Sequence, residues 1–131
     1  MRNHDQDVAP GTRHRLLLVE DDPVIALAEI EDLSKEGFAV HYSPNGEEAI
    51  SALRGNGGPF SLVLMDIGLG DGMDGIEAAE IVAREFQIPV LFVTSRSEGE
   101  IRERIKTVPH KGVVNKGYGL YSLAAVIRRS L

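Results

Sequence analysis

The stretch that decides the fold of this chain is LVLMDIGLGDGMDG, residues 62–75. Its apolar run is continuous, as in a strand that is buried on both faces, and it ends at one carboxylate, Asp66. A glycine-rich loop follows, and Asp74 with Glu77 three residues later has the pattern of a helix start. Open α/β sheets bind ligands at the carboxyl ends of their strands, so Asp66 is predicted to lie in a functional site.

Four other short apolar runs predict strands, and a helical pattern follows each of them. The strands are predicted at residues 14–19, 38–42, 60–65, 89–93 and 112–115. Asp22 before Pro23 favours a helix cap over a metal ligand, and Asn45 with Glu48 favours a second helix start. Strands and helices therefore alternate, which predicts a doubly wound parallel sheet with helices on both faces.

The composition limits the classes of function. The chain has 131 residues and a net charge of -6, which fit one domain, and it has no cysteine for a disulfide or a thiolate. It shows no basic patch for a nucleic acid and no apolar run long enough for a membrane span. Residues 1–13 are polar and aperiodic, so we expect a flexible tail before a domain at 14–131, in a cytoplasmic protein.

Charged and polar residues follow the strands at the edge where a parallel sheet brings its carboxyl ends together. They are Glu20 and Asp21 after the first strand, Asp66 after the third, Thr94 after the fourth and Lys116 after the fifth. Three carboxylates at one edge repel one another, and either protonation or a bound cation must relieve that repulsion. The pattern therefore predicts a cation site at this edge.

These residue types together fit phosphoryl transfer. The three carboxylates, with the backbone carbonyl of Gly68, supply the oxygen ligands that Mg²⁺ prefers. Mg²⁺ neutralises charge on a transferring phosphoryl group, and Asp66 can then act as a nucleophile and form an aspartyl-phosphate. The Thr94 hydroxyl can hydrogen-bond a phosphoryl oxygen, and Lys116 supplies a positive charge for the group.

The sequence resembles the receiver domain of bacterial response regulators over residues 14–131. The matching pieces are LLVEDD at 17–22, LMDI at 64–67, MDG at 73–75, VTS at 93–95 and NK at 115–116. The resemblance implies a flavodoxin-like strand order, 2-1-3-4-5. It also implies a two-component or phosphorelay signalling switch and not an enzyme, with Asp66 as the phosphoacceptor.

The resemblance further implies partners and the roles of single residues. A histidine kinase or a histidine phosphotransfer protein would phosphorylate Asp66, and a downstream protein effector would read the result. Thr94, Ser95 and Lys116 would form the phosphate-binding and switch positions. Mg²⁺ would be the cofactor, bound by Glu20, Asp21, Asp66 and the Gly68 carbonyl. Neither a nucleic acid nor a membrane is expected as a partner.

Two residues depart from the receiver pattern. Receivers usually carry proline after the lysine, whereas Gly117 follows Lys116 here. A cis Lys116–Gly117 bond would lack the tertiary amide that makes a cis bond inexpensive before proline. Receivers also usually carry an aromatic residue at the position of Val113. An aromatic reporter of the switch would then have to come from elsewhere, for example Tyr118 or Tyr121.

Two other functions stay open. One is a pseudo-receiver that binds partners without phosphorylation, which the departures at Val113 and Gly117 favour. The other is a Mg²⁺-dependent phosphatase with an aspartate nucleophile. Such enzymes typically carry a second acid two residues after the nucleophile, where this chain has Gly68. The phosphatase is therefore the weaker alternative.

The output of the switch is also predicted. After the fifth strand only one helical pattern remains, so we expect a stand-alone regulator or a phosphorelay intermediate. Thr94 and Lys116 lead directly into the fourth helix, the fifth strand and the fifth helix, within residues 95–122. We expect this surface to contact the partner, and it could also form a homodimer.

Overall fold

The computed structural model describes residues 14–55, 59–68, 72–94, 98–115 and 120–131, with only the backbone described at 98–101 and 120–122. The predicted tail at 1–13 therefore lies outside the described residues. So do Ser95, Lys116, Gly117 and Tyr118, and the side chain of Tyr121. The part of the chain that is described includes Glu20, Asp21, Asp66, Gly68 and Thr94 from the predicted site.

The described residues form one five-stranded sheet in which all neighbouring strands are parallel. The strands are β1 (Arg15–Val19), β2 (Ala39–Ser43), β3 (Leu62–Asp66), β4 (Val90–Thr94) and β5 (Gly112–Asn115). The order is β2-β1-β3-β4-β5. This confirms the predicted fold class and the predicted strand order.

Helices connect the strands in the alternating sequence that the apolar pattern predicts. They are α1 (Pro23–Lys35), α2 (Gly46–Arg54), α3 (Gly75–Ile81), α4 (Glu98–Ile105) and α5 (Leu120–Ser130). A π-helical turn at Val82–Phe86 extends α3, and it ends at Gln87 in the left-handed conformation with φ of 56°. Among the described residues, no helix has the length and apolar character that crossing a membrane requires.

The core has two layers, one on each face of the sheet, because successive side chains of a strand point to opposite faces. Leu17, Met65 and Phe92 belong to the layer that includes residues of α2 and α3. Leu16 and Leu64 belong to the layer that includes residues of α1 and α5. The central strand β3 is buried along its whole length, so its last residue is held by a rigid frame.

Three helices begin with the side-chain caps that the sequence predicts. Asp22 accepts from the Val24 N–H at 2.9 Å, and Asn45 accepts from the Glu48 N–H at 2.8 Å. Asp74 accepts from the N–H groups of the second and third residues of α3, each at 2.9 Å. Asp22 is therefore confirmed as a helix cap. Each such cap typically contributes about 1 kcal/mol of stability.

Three strands, β2, β3 and β4, extend one residue beyond their predicted ends. Asp66 is the last residue of β3 and Thr94 is the last residue of β4, whereas the sequence predicts ends at 65 and 93. Asp66 pairs with Val93 and Thr94 pairs with Asn115 in the parallel ladder. Both site residues are thus held by the sheet itself and not by a loop.

Candidate functional site

Three carboxylates meet at the carboxyl edge of the sheet. Glu20 and Asp21 follow β1 directly, and Asp66 ends β3, which is the neighbour of β1. Each of the three offers an oxygen, and these oxygens all lie within 4.8 Å of one another. We call Glu20, Asp21 and Asp66 the acidic cluster. The structure thus brings together the three carboxylates that the sequence places at this edge.

The members of the acidic cluster differ in exposure. Glu20 is 2% exposed and Asp66 is 5% exposed, whereas Asp21 is open to solvent. Burying a carboxylate costs free energy unless hydrogen bonds or a counter-charge compensate it. Glu20 Oε2 accepts from the Asp22 N–H at 3.1 Å, and Asp66 Oδ1 accepts from the Gly68 N–H at 3.0 Å. Two buried, hydrogen-bonded carboxylates and one solvent-exposed carboxylate therefore form a site that a cation can reach from the solvent.

Tyr42, at the carboxyl end of β2, also belongs to this site. Its hydroxyl donates to the backbone carbonyl of Glu20 at 2.7 Å. The pKa of Tyr42 is raised by burial and then by the negative charges of Glu20, Asp21, Asp22 and Glu48. The sequence interpretation missed Tyr42. The predicted strand order could have indicated this residue, because β2 pairs with β1 and Tyr42 therefore lies at the same edge of the sheet as Glu20.

Thr94 lies on the other side of Asp66. It ends β4, the neighbour of β3, and it is 1% exposed. Thr94 therefore shares the carboxyl edge of the sheet with the acidic cluster, as the sequence predicts. Val113 of β5 is half-buried and pairs with Phe92 of β4. Ser95 and Lys116, the other predicted phosphate-binding positions, lie outside the described residues.

The start of α3 lies directly against the backbone of Asp66. A Cβ added to Gly75 would lie 2.1 Å from the carbonyl oxygen of Asp66. Because atoms cannot approach so closely, only a residue without a side chain fits here. The position of Gly75 explains why a glycine follows the cap Asp74 at the start of α3.

Side chains from α2 and α4 also bind the segment before α3. Glu47 of α2 accepts from the Met73 N–H at 3.2 Å, and Arg104 of α4 forms an ion pair with Asp74. Burial tends to raise the pKa of Asp74, but the Glu77 N–H, Arg104 and the Ile76 N–H together hold the pKa below its ordinary value. The ion pair therefore links Asp74, at the start of α3, to α4.

The donor set fits a hard divalent cation. Carboxylate and carbonyl oxygens are the ligands that Mg²⁺ prefers, and the accessible Asp21 leaves room for the waters that Mg²⁺ retains. Thr94 ends the neighbouring strand at the same edge of the sheet. Such a set of groups can stabilise a phosphoryl group that is transferred to a carboxylate.

A 2-1-3-4-5 parallel sheet defines the flavodoxin-like class of doubly wound α/β proteins, and the acidic cluster lies at the carboxyl edge where this class binds its ligands. The profile of the response regulator receiver domain family matches residues 16–128. The chain therefore belongs to the response regulator receiver domain family. Receiver domains act as regulators and not as classical enzymes.

Individual relatives agree with this assignment. The uncharacterized transcriptional regulatory protein YkoG of Bacillus subtilis (strain 168) is 31% identical over 117 residues, which cover 88% of this chain and 50% of YkoG. Among solved structures, the N-terminal domain of a response regulator/sensory box/GGDEF 3-domain protein from Carboxydothermus hydrogenoformans is 33% identical with a TM-score of 0.81. That match covers 88% of this chain and 92% of the other.

A third relative is a solved structure that contains a bound ligand. The response regulator protein TrrA from Thermotoga maritima, in complex with Mg(2+)-BeF, is 27% identical with a TM-score of 0.77. The match covers 90% of this chain and 99% of TrrA. By contrast, the chain spans about a third to a half of the length of the curated relatives it matches.

Proposed function

We propose that this protein is a phosphorylatable switch that accepts a phosphoryl group on Asp66, with Mg²⁺ bound at the acidic cluster. The observation that carries the proposal is the approach of three carboxylate oxygens within 4.8 Å, one of them on the buried central strand. Repulsion within this group makes cation binding favourable. A partner protein would then read the phosphorylated state.

The Mg²⁺ ligands are proposed to be Glu20, Asp21, Asp66 and the backbone carbonyl of Gly68. The bound ion would supply positive charge to the phosphoryl oxygens during transfer. The complex of TrrA with Mg(2+)-BeF supports this proposal, because TrrA has the same fold. The hydrogen bond from the Gly68 N–H restricts the orientation of the Asp66 carboxylate before the ion binds.

Asp66 is proposed as the nucleophile. One of its carboxylate oxygens attacks the phosphorus of a phosphohistidine, the phosphorus–nitrogen bond breaks, and its electron pair stays with the imidazole nitrogen. The product is an acyl phosphate on Asp66. The hydroxyl of Thr94 and the ammonium of Lys116 would bind its oxygens, with Ser95 beside them.

The phosphodonor is proposed to be a histidine kinase or a histidine phosphotransfer protein that contacts the start of α1. Val24 is 76% exposed and Leu27 is 64% exposed, and Ile25 is also exposed, although all three are apolar. These residues lie next to Asp21 and Asp22, and exposed apolar groups beside a site are typical of protein contacts. Leu27→Glu should slow phosphoryl transfer from such a protein but not from acetyl phosphate. If the wild type and the Leu27→Glu variant accept the phosphoryl group from the protein donor at equal rates, these residues do not contact the donor.

The phosphoacceptor is tested by mass spectrometry of the full chain after treatment with acetyl phosphate and Mg²⁺. We expect the wild type to gain one phosphoryl group. Asp66→Asn, which keeps the shape of the side chain but removes the charged nucleophile, should gain none. A phosphoryl group on the Asp66→Asn variant would overturn the assignment.

A pseudo-receiver is the second candidate function. It is favoured by Val113, which is half-buried at the position where receivers usually carry an aromatic residue. A pseudo-receiver would bind its partner without a phosphoryl group on Asp66. Backbone amide shifts that do not respond to beryllofluoride with Mg²⁺ would favour this candidate over the phosphorylatable switch.

A further inference from the structure

The edge strand β2 contributes no carboxylate to the acidic cluster, yet it binds the chain on both sides of Glu20. Tyr42 and Ser43 are the last two residues of β2, and they pair with Leu18 and Val19 of β1. The Glu20 N–H donates to the Ser43 carbonyl at 3.2 Å. The Glu20 carbonyl accepts from the Tyr42 hydroxyl at 2.7 Å. β2 is therefore in contact with both peptide groups that flank the Cα of Glu20.

The second of these bonds has a particular consequence for Asp21. The carbonyl of Glu20 and the N–H of Asp21 belong to one planar peptide group, so a bond to the carbonyl restricts the whole group. Glu20 lies beyond the end of β1, and here a side-chain hydroxyl is the donor to its carbonyl. The Tyr42 hydroxyl thus limits the direction in which the Asp21 side chain can leave the backbone.

We propose that Tyr42 is a positioning residue for the cation site, acting through the Glu20–Asp21 peptide group. This inference rests on the proposed Mg²⁺ site. Glu20 and Asp66 are buried, whereas Asp21 is exposed and has the least surrounding protein to orient it. Without the Tyr42 hydroxyl, the Asp21 carboxylate would sample more directions, and Mg²⁺ binding would have to order it.

The substitution Tyr42→Phe tests the proposal, because it removes the hydroxyl and keeps the ring in its packed position. Isothermal titration of the full chain with Mg²⁺ should give an affinity roughly 3- to 10-fold lower than that of the wild type, as expected for the loss of one ordinary hydrogen bond. An unchanged affinity would overturn the proposal.

Ser61→Ala provides the matched control. Ser61 lies just before β3, at the opposite end of the sheet, and its hydroxyl is 3.1 Å from the His14 ring nitrogen Nδ1. Removing this hydroxyl also deletes one side-chain hydrogen bond, but far from the acidic cluster. We expect the Ser61→Ala protein to bind Mg²⁺ with the wild-type affinity. An equal loss in both variants would mean that any lost hydroxyl weakens binding, and it would refute a specific role for Tyr42.

A double-mutant cycle separates positioning from a general loosening of the structure. If Tyr42 acts through Asp21, then Tyr42→Phe should have little further effect on Mg²⁺ affinity in an Asp21→Asn background. If Tyr42→Phe lowers the Mg²⁺ affinity by the same factor in both backgrounds, Tyr42 does not act through Asp21. A wild type that binds no Mg²⁺ would refute the cation site together with this inference. If the wild type binds Mg²⁺ and the Tyr42→Phe variant binds it equally tightly, the positioning role of Tyr42 is refuted and the cation site is not.

Discussion

Single residues set the geometry of this site through contacts at the carboxyl edge of the sheet. Asp66 is held by its place in the β3 ladder and by the Gly68 N–H, while its carbonyl oxygen lies against Gly75. The same aspartate is thus connected to the sheet, to the following loop and to α3. A change in its charge or bonding therefore acts on three parts of the molecule.

The close approach of Gly75 to Asp66 predicts a large effect of a small substitution. Gly75→Ala would place a methyl group where the Asp66 carbonyl oxygen leaves only 2.1 Å, so the start of α3 has to move. We expect a loss of about 1–3 kcal/mol in the free energy of unfolding, the usual cost of overpacking. Urea unfolding followed by circular dichroism measures it.

Gly68→Ala is the control for the Gly75 prediction. A Cβ at Gly68 would lie 3.8 Å from the nearest atom, Asp66 Oδ1, which is an ordinary contact distance. The free energy of unfolding of the Gly68→Ala protein should therefore change much less. If both glycine variants unfold at the same urea concentration, steric contact with Asp66 does not explain why residue 75 is glycine.

At the scale of helices and strands, the features that depend on nearby residues were predictable from the sequence. The features that depend on residues far away in the chain were not. The caps Asp22, Asn45 and Asp74 were predicted because each bonds backbone groups two or three residues away. Strand ends were misplaced by one residue because a ladder depends on the neighbouring strand. The bond from Tyr42 to Glu20 spans 22 residues, and no local pattern reports it.

The ion pair between Arg104 of α4 and Asp74 predicts a dependence of stability on pH. Because the folded-state pKa of Asp74 lies below its ordinary value of 3.8, the carboxylate stabilises the fold above that pH, and this stabilisation is lost as the pH falls further. Arg104→Gln should raise the folded-state pKa. The unfolding midpoint should then decrease less steeply as the pH falls below about 4.

The control for the pH prediction is Arg54→Gln, which removes an exposed ion pair with Glu85 and leaves Asp74 unchanged. Thermal unfolding of the three proteins at a series of pH values gives the comparison. The Arg54→Gln protein should retain the wild-type pH dependence. Identical slopes for wild type and Arg104→Gln would show that the ion pair does not govern the titration of Asp74.

For the whole molecule, the alternation of strands and helices predicted a doubly wound parallel sheet, and the structure confirms it. The strand order came from the family resemblance, because apolar runs do not state which strands are neighbours. That order makes β1, which Glu20 follows directly, the neighbour of β3, which ends at Asp66. The meeting of the acidic residues is therefore a property of the topology and not of any one segment.

The response to phosphorylation is also predicted for the whole molecule. A phosphoryl group on Asp66 should attract Thr94 and Lys116, and these residues lead into α4, β5 and α5. Hydrogen exchange after treatment with acetyl phosphate and Mg²⁺ should therefore change mainly in residues 95–122. Asp66→Asn, treated in the same way, should show no change. Changes limited to residues 23–55 would refute this output surface.

The contact between Gly75 and the backbone of Asp66 also restricts how this sequence can evolve. Every single-base change that replaces a glycine codon by that of another amino acid adds a Cβ, and no Cβ fits at residue 75 while α3 starts where it does. Every amino-acid replacement that is one base away is therefore expected to lower the stability of the fold. A descendant gene could replace this glycine without that loss only after other substitutions had moved α3, and a chimera that receives α3 from a relative keeps its stability best if it receives a glycine with it.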